Sequence, residues 1–348
     1  MTLYERVADL PLRIEDEDRT RHARDVSSGF RRATTVFALS GAGETGRGED
    51  VTYDAEDHDA LAGVPPFDLA GEYTVASFSE RLDGLDLFPT KPPERESSRH
   101  YRRWALESAA LDLALRQADA TLGEAVGRDY DPVRFVVSTR LGEPPSTDRV
   151  DALLDGNPDL EFKLDPTSDW TDGIVADLAA TGAVRILDLK GQYRGTEVDQ
   201  DPDPELYDVV FEGFPDAVVE DPALTDETEP IVAGREDHVS WDAPITGVES
   251  VEELPFEPRW LNVKPSRFGS VESLFETLEY CEERGVRLYG GGQFELDVGR
   301  SHVQALASLF YPDGPNDVAP GAYNDPEVAE NLPGSPLSPP AEPRGLAF

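Results

Sequence analysis

The sequence predicts an α/β chain, a closed barrel of parallel strands behind an N-terminal α+β block, and three observations carry that prediction. From about residue 130 onward, short apolar, β-branched runs alternate with segments of helical period. Before that point the texture differs, with two strand-like runs followed by one long helical pattern. Lysine occurs at only four positions, and at three of them, Lys163, Lys190 and Lys264, it closes one of the short runs. Alternation repeated this often requires a parallel sheet, and its length suits a closed barrel better than an open sheet.

Taken in order, Val7–Ile14 and Ala33–Leu39 read as strands separated by charged and turn-forming residues. Gly41-Ala42-Gly43-Glu44-Thr45-Gly46 matches the Gly-x-Gly-x-x-Gly spacing of dinucleotide sites. Such a site needs a helix to begin there, and Arg47–Thr52 has no helical period, so a hairpin or loop is expected. Placed beside the barrel mouth, that loop would help choose substrate. His100–Gly127 gives a helical pattern whose apolar face includes Trp104, Ala105, Ala109, Leu111, Leu113 and Ala114. The barrel strands are expected at Val133–Ser138, Leu160–Leu164, Val184–Leu189, Ala217–Val219, His238–Trp241, Trp260–Val263 and Val286–Tyr289. Thr171–Ala180, Glu205–Phe211 and Ser270–Arg284 carry helical period between them. Five prolines from Pro333 to Pro343 make the end of the chain an extended tail. The expected division is therefore 1–128, 129–330 and 331–348.

Composition narrows the function classes. The net charge of −40 reflects 71 acidic against 31 basic residues, and all but the four lysines among the latter are arginine. Such acidity suits concentrated salt, where the Debye length shrinks to about 3 Å at 1 M and self-repulsion costs little, so a halophilic source is expected. The 39% hydrophobic and 9% aromatic content, arranged in periodic runs, is enough for a core and argues against a disordered acidic chain. An acidic surface disfavours nucleic acid and anionic membranes as partners. No apolar stretch reaches the roughly 18 residues of a membrane span and no signal-peptide core is visible, so a cytoplasmic location is expected. Cys281 lies on a helix-like face and reads as a packing residue. The five histidines show no metal-ligand spacing.

The chemistry is expected where the strands end. Strand ends of a parallel barrel share one face, and the residues there are Lys163, Asp165, Asp188, Lys190, Glu220, Asp242 and Lys264. Any single acid among 71 is most simply a surface charge. Three at successive strand ends, bracketed by three of the four lysines, are not. Carboxylates meeting there would repel by several kcal/mol without a cation among them, and an all-oxygen set suits Mg²⁺. A divalent ion can stabilise the enediolate left when the proton α to a carboxylate departs, and a lysine can take that proton.

Longer motifs support the same reading. Ala105–Ala114, Val219-Glu220-Asp221-Pro222, Asn262-Val263-Lys264-Pro265-Ser266-Arg267 and Gly290-Gly291-Gly292-Gln293-Phe294-Glu295 together resemble the enolase superfamily. The likeness is to its muconate-cycloisomerase and o-succinylbenzoate-synthase-like branch, and it extends over nearly the whole chain. It implies a (β/α)7β TIM-type barrel with an N-terminal α+β capping domain to which the C-terminal tail returns. It further implies Asp188, Glu220 and Asp242 as Mg²⁺ ligands, Lys264 as an acid/base, and a homo-oligomer. The branch usually ends its second strand Lys-x-Lys, with the second lysine as base, whereas this chain has Lys163-Leu164-Asp165. Its third strand ends Asp188-Leu189-Lys190 where Asp-x-Asn is common.

The leading expectation is thus a Mg²⁺-dependent enzyme acting on a small carboxylate, of cycloisomerase or o-succinylbenzoate-synthase-like type. Lys163 would orient or polarise the carboxylate, Lys190 would replace the missing base and Lys264 would face it. Asp165 and Glu295 are expected at the substrate, with Glu295 equally readable as an acid at a helix N-terminus. An acid-sugar dehydratase and a catalytically silent metal-binding barrel are the alternatives, and a nucleotide-dependent oxidoreductase would rest on the glycine motif alone.

Overall fold

In the computed structural model, which describes every residue but Glu197, the N-terminal region is built on antiparallel strands. These are β1 (Pro11–Ile14), β2 (Asp16–Asp25), β3 (Arg31–Gly41), β4 (Glu44–Asp50) and β5 (Gly71–Thr74). β3 is central between β2 and β4, and β1 pairs with β5. The helix Ser98–Gln117 lies on β4 at a distance only glycine permits. A Cβ on Gly48 would stand 1.9 Å from the Ala105 carbonyl oxygen, and one on Gly46 2.2 Å from that of Ala109.

Three expectations for this region need correction. Val7–Ile14 is not one strand, because Glu5–Ala8 forms a helical turn and the strand starts only at Pro11. Proline disfavours α geometry in the residue before it, which separates the two. The glycine motif is a hairpin, with Ala42 and Gly43 at φ 52° and 84° joining β3 to β4. Its tip, however, lies away from the barrel mouth. The Gly41 carbonyl accepts from Gln117 at the far end of the long helix, whereas Arg32 and Glu49, at the opposite end of the strands, bond Gln293 and Leu296. The segment before β3 meets the barrel instead, with the Phe30 and Phe294 rings 5.4 Å apart. The helical pattern His100–Gly127 is divided, because Asp119 takes φ 52° and a capping box of Thr121 and Glu124 starts a second helix, Leu122–Val126.

The second region is a parallel sheet of seven strands in sequence order: β6 (Val137–Thr139), β7 (Phe162–Leu164), β8 (Val184–Asp188), β9 (Val218–Glu220), β10 (Val239–Trp241), β11 (Trp260–Val263) and β12 (Arg287–Gly290). Parallel bridges Phe135–Asn316 and Gly291–Asp317 link its two edges through residues 316–317. Inside, Val136, Ile186, Val218 and Tyr289 pack with Trp260 as an apolar floor. Side chains alternate along a strand, so residues two further on point into the same interior, one layer higher. Those residues include Asp188, Glu220 and Asn262, two beyond Ile186, Val218 and Trp260.

The proline-rich tail is held by specific bonds. Leu337 exchanges backbone hydrogen bonds with Val133, the Gly345 carbonyl accepts from Leu122, and the Leu346 N–H donates to Asp112.

Candidate active site

Asp188 and Glu220 are the last residues of β8 and β9, paired across the sheet, and Asp242 directly follows β10. All three are fully buried, and each offers a carboxylate oxygen within 4.8 Å of those of the others. Two groups of cations flank them. On one side Lys163 Nζ lies 3.1 Å from Asp188 Oδ2 and donates to Glu220 Oε1. Lys190 Nζ, beside it, donates to Asp188 Oδ2 and lies 3.4 Å from Asp165 Oδ1. On the other side Lys264 Nζ donates to Asp242 Oδ2 at 2.8 Å, and Arg267 stands 3.3 Å from the same oxygen. The amines expected from the sequence are therefore opposed across the acids.

The electrostatics follow from burial and these contacts. Burial alone would raise the Asp188 carboxyl, but the Lys163 and Lys190 ammoniums bring it well below its usual range. Asp242 is likewise lowered against burial, by Arg267 and Lys264. Glu220 goes the other way, because burial and the Asp188 and Asp242 charges outweigh Lys163. Burial would lower Lys163 and Lys190, but the acids around them raise both. Asp221 is pushed up to about 7, first by burial and then by Asp242 and Asp188.

Backbone strain gathers at the same end of the barrel. Lys190, Asp221 and Phe294, none of them glycine, adopt φ of 57°, 50° and 55°. Residues held in the left-handed region cost about 1–3 kcal/mol each and cluster at functional sites. The Asp221 carboxylate accepts from the N–H groups of Asp242 and Ala243 at 2.8 and 2.9 Å, fixing the turn that presents Asp242. Glu220 Oε2 accepts from Asn262 Nδ2 at 2.9 Å and from the Tyr289 hydroxyl, which rises from the barrel floor.

Asp165 joins the site through Lys190 and also pairs with Arg140 at 3.0 Å. Glu295 does not join the acids. It accepts from the Gln293 N–H, pairs with Arg300 at 3.0 Å and lines a neighbouring cavity of about 220 Å³ with Arg24, Val26 and Asn324. Gly291 and Gly292 separate the two places: a Cβ on the first would meet Lys264 Cε at 2.7 Å, and one on the second Glu295 Oε2 at 2.4 Å. Sequence reasoning assigned no role to Tyr193, Arg267, Asp221, Asn262 or Tyr289. Asp221, Asn262 and Arg267 lie inside the motifs Val219–Pro222 and Asn262–Arg267, but nothing local distinguishes the two tyrosines.

The acids fit a cation on structural grounds. Asp242 Oδ1 is buried and accepts no hydrogen bond, and neither does Asn262 Oδ1 beside Gly291. A carboxylate oxygen left bare in the interior costs on the order of 1–3 kcal/mol or more, which a hard cation bound by oxygen ligands would remove.

The barrel, its cap and this cluster of acids between amines define the class: the chain has the fold of the enolase superfamily. Similar solved structures include a dipeptide epimerase from Methylococcus capsulatus complexed with a Mg ion, at TM-score 0.68 and 17% identity over 97% of this chain and 99% of that one. Muconate lactonizing enzyme from Pseudomonas putida superposes at TM-score 0.62 and 16% identity, over 96% and 93%. In sequence, the chain is 22% identical over 244 residues to the o-succinylbenzoate synthase of Bacillus subtilis (strain 168), a match over 66% of this chain and only 63% of the synthase. The chain belongs to the family described as Domain of unknown function (DUF8230), matching its N-terminal domain at residues 5–125 and its C-terminal domain at 129–325.

Proposed function

We propose that this protein is a Mg²⁺-dependent enzyme that removes the proton α to a substrate carboxylate, of cycloisomerase or o-succinylbenzoate-synthase-like type. The observation that carries the reading is the placement of Asp188, Glu220 and Asp242 between opposed amines. Those three acids would hold the ion. A bound Mg²⁺ would supply the charge that stabilises an enediolate and, by offsetting Asp188, would weaken the hold of Lys190 on its proton. Lys163 orients and polarises the substrate carboxylate. Lys190 accepts the α-proton, and Lys264 stabilises charge or returns a proton from the opposite face. The Mg ion named with the Methylococcus relative and the activities named for the other relatives support this reading.

Lys190 as base follows from its neighbour. Asp165 stands where the branch usually has its second lysine, and Lys190 Nζ reaches to 3.4 Å of its carboxylate from the adjacent strand. An ammonium is thereby delivered to that place from β8 in exchange for one lost from β7. The test is deuterium wash-in at the α-carbon, followed by NMR over a library of carboxylic acids in D₂O with Mg²⁺. Lys190→Met should abolish exchange, and Asp165→Lys combined with Lys190→Asn should recover part of it. Full-rate exchange in Lys190→Met would remove Lys190 from the mechanism.

A catalytically silent barrel is the second reading, favoured by the altered Lys-x-Lys position, and no wash-in with any acid would support it. If polyhydroxy acids raise the melting temperature and apolar dicarboxylates do not, the acid-sugar dehydratase alternative gains. We also propose the division into a cap at 1–128, a barrel at 129–330 and a tail at 331–348, and a homo-oligomeric enzyme of a salt-rich cytoplasm. Among the described residues, no helix is long and apolar enough to cross a membrane.

A further inference from the structure

The two oxygens of Asp242 have unlike surroundings. Oδ2 receives the Lys264 ammonium at 2.8 Å, the Tyr193 hydroxyl at 2.7 Å and the Arg267 guanidinium at 3.3 Å. Oδ1 is buried and receives nothing. Arg267 also donates to the Tyr193 oxygen, at 2.9 Å. The single phenolic proton is therefore committed to Asp242 Oδ2, because the oxygen that carries it is already accepting from the cation.

Tyr193 is held in place independently of that bond. After Lys190, with its φ of 57°, the Gly191 N–H donates to the Asp221 carbonyl at 2.9 Å. A Cβ at position 191 would stand 2.3 Å from the Ala223 nitrogen, so only glycine lets the loop lie this close to the turn after β9. Gln192 donates to the Pro222 carbonyl at 2.7 Å, and the Tyr193 N–H to the Lys190 carbonyl at 3.1 Å. The loop is thereby fastened to the residues just past Glu220, and the ring lies between the two groups of cations. Its centroid is 5.3 Å from Lys190 Nζ and 5.8 Å from the Arg267 guanidinium carbon.

We propose that Tyr193 is a positioning residue for a divalent cation: by engaging Oδ2 it turns the Asp242 carboxylate so that Oδ1 faces the ion as a single ligand atom. This rests on the reading that the three acids bind such a cation. Hydrogen-bond partners that orient ligands in this way typically change metal affinity by about 10–100-fold when removed.

The experiment is a Mn²⁺ titration of the full chain, with free Mn²⁺ read by electron paramagnetic resonance. Wild type, Tyr193→Phe and Asp242→Asn are compared, and each is melted in EDTA. Tyr193→Phe should bind Mn²⁺ about tenfold or more weakly while its melting temperature in EDTA stays at the wild-type value. Asp242→Asn should bind far more weakly still. If Asp242→Asn loses the ion and Tyr193→Phe binds it within about twofold of wild type, the metal site stands and the role of Tyr193 is wrong. If the affinity of Tyr193→Phe falls together with its melting temperature in EDTA, the residue only packs, and the proposal is overturned. If wild type and Asp242→Asn behave alike, the three-acid cation site falls and the role of Tyr193 falls with it.

Discussion

Replacing Lys163 by methionine should destabilise the metal-free protein severely and make its stability strongly dependent on added divalent cation. The ammonium lies 3.1 Å from Asp188 Oδ2 and donates to Glu220, and all three groups are at most 2% exposed. One ion pair at that distance is worth about 5 kcal/mol at an effective dielectric near 20. Desolvation of the ammonium offsets part of this, so the net loss expected is about 3–5 kcal/mol, the usual result of removing one partner from a buried set. For a chain of this size that corresponds to a fall of roughly 4–7 °C in melting temperature. Methionine keeps the length and much of the packing of the stem, so little of the change should come from lost volume. Mg²⁺ should then stabilise the variant more than wild type, because an ion would no longer compete with an ammonium for Asp188 and Glu220. Thermal melts of both proteins in EDTA and in Mg²⁺, at one high salt concentration, measure both effects. A variant within about 1 kcal/mol of wild type in EDTA, or equal Mg²⁺ increments in the two, would refute the reasoning.

His302, on the helix Val298–Phe310, is buried with both ring nitrogens unpaired, and burial holds its pKa down to about 4. The unfolded chain takes up that proton first as pH falls below about 6.5, so up to about 3 kcal/mol of stability should be lost between pH 6.5 and 4. Urea midpoints for wild type and His302→Met at pH 7 and 4.5 should show a smaller drop in the variant. Burial also pushes the Cys281 thiol up to about 12, so native protein at pH 8 should not react with a disulfide reagent and should do so fully in urea. Gly48→Ala should cost at least about 2 kcal/mol in chemical denaturation, since its Cβ would meet the Ala105 carbonyl at 1.9 Å. Gly43→Ala, with open space around it, should cost only about the 1–2 kcal/mol of its left-handed φ.

The barrel and its acids were legible because short apolar, β-branched runs mark where the strands lie, although Ala217–Val219 and Val286–Tyr289 stop one residue short of the observed ends and Val184–Leu189 runs one past Asp188. Trp260–Val263 is bounded as the run predicts, and Asp188 and Glu220 follow their apolar neighbours by two residues. What escaped depends on contacts distant in sequence. β2 carries Asp, Glu, Arg and His along its length because it is an edge strand, paired only with β3, and its outer face meets water. Its charges therefore hide it from a reading based on apolar alternation. Tyr289 reads as the end of an ordinary strand, and only closure of the barrel brings its hydroxyl to Glu220. Glu295 is expected at the substrate because it follows the glycine-rich strand end. Two glycines suffice to carry it past the wall of the site and into the adjoining cavity.

The scarcity of lysine has a physical basis that does not depend on catalysis. The fourth lysine, Lys91, belongs to the N-terminal region and pairs with Asp57, whose side chain is fully buried. Every lysine in the chain thus touches a buried acid: Asp57, Asp188 with Glu220, Asp188, or Asp242. Retention of lysine therefore marks a compact ammonium fitted against a sequestered carboxylate. Lys91 shows that such a fit also occurs outside the three-acid cluster. What separates the other three is convergence: their partners come from consecutive strands, share oxygens within 4.8 Å and leave Asp242 Oδ1 bare. An isolated buried pair satisfies its own charges, whereas this cluster retains an unfilled acceptor at its centre, and that acceptor is what a cation-dependent chemistry requires.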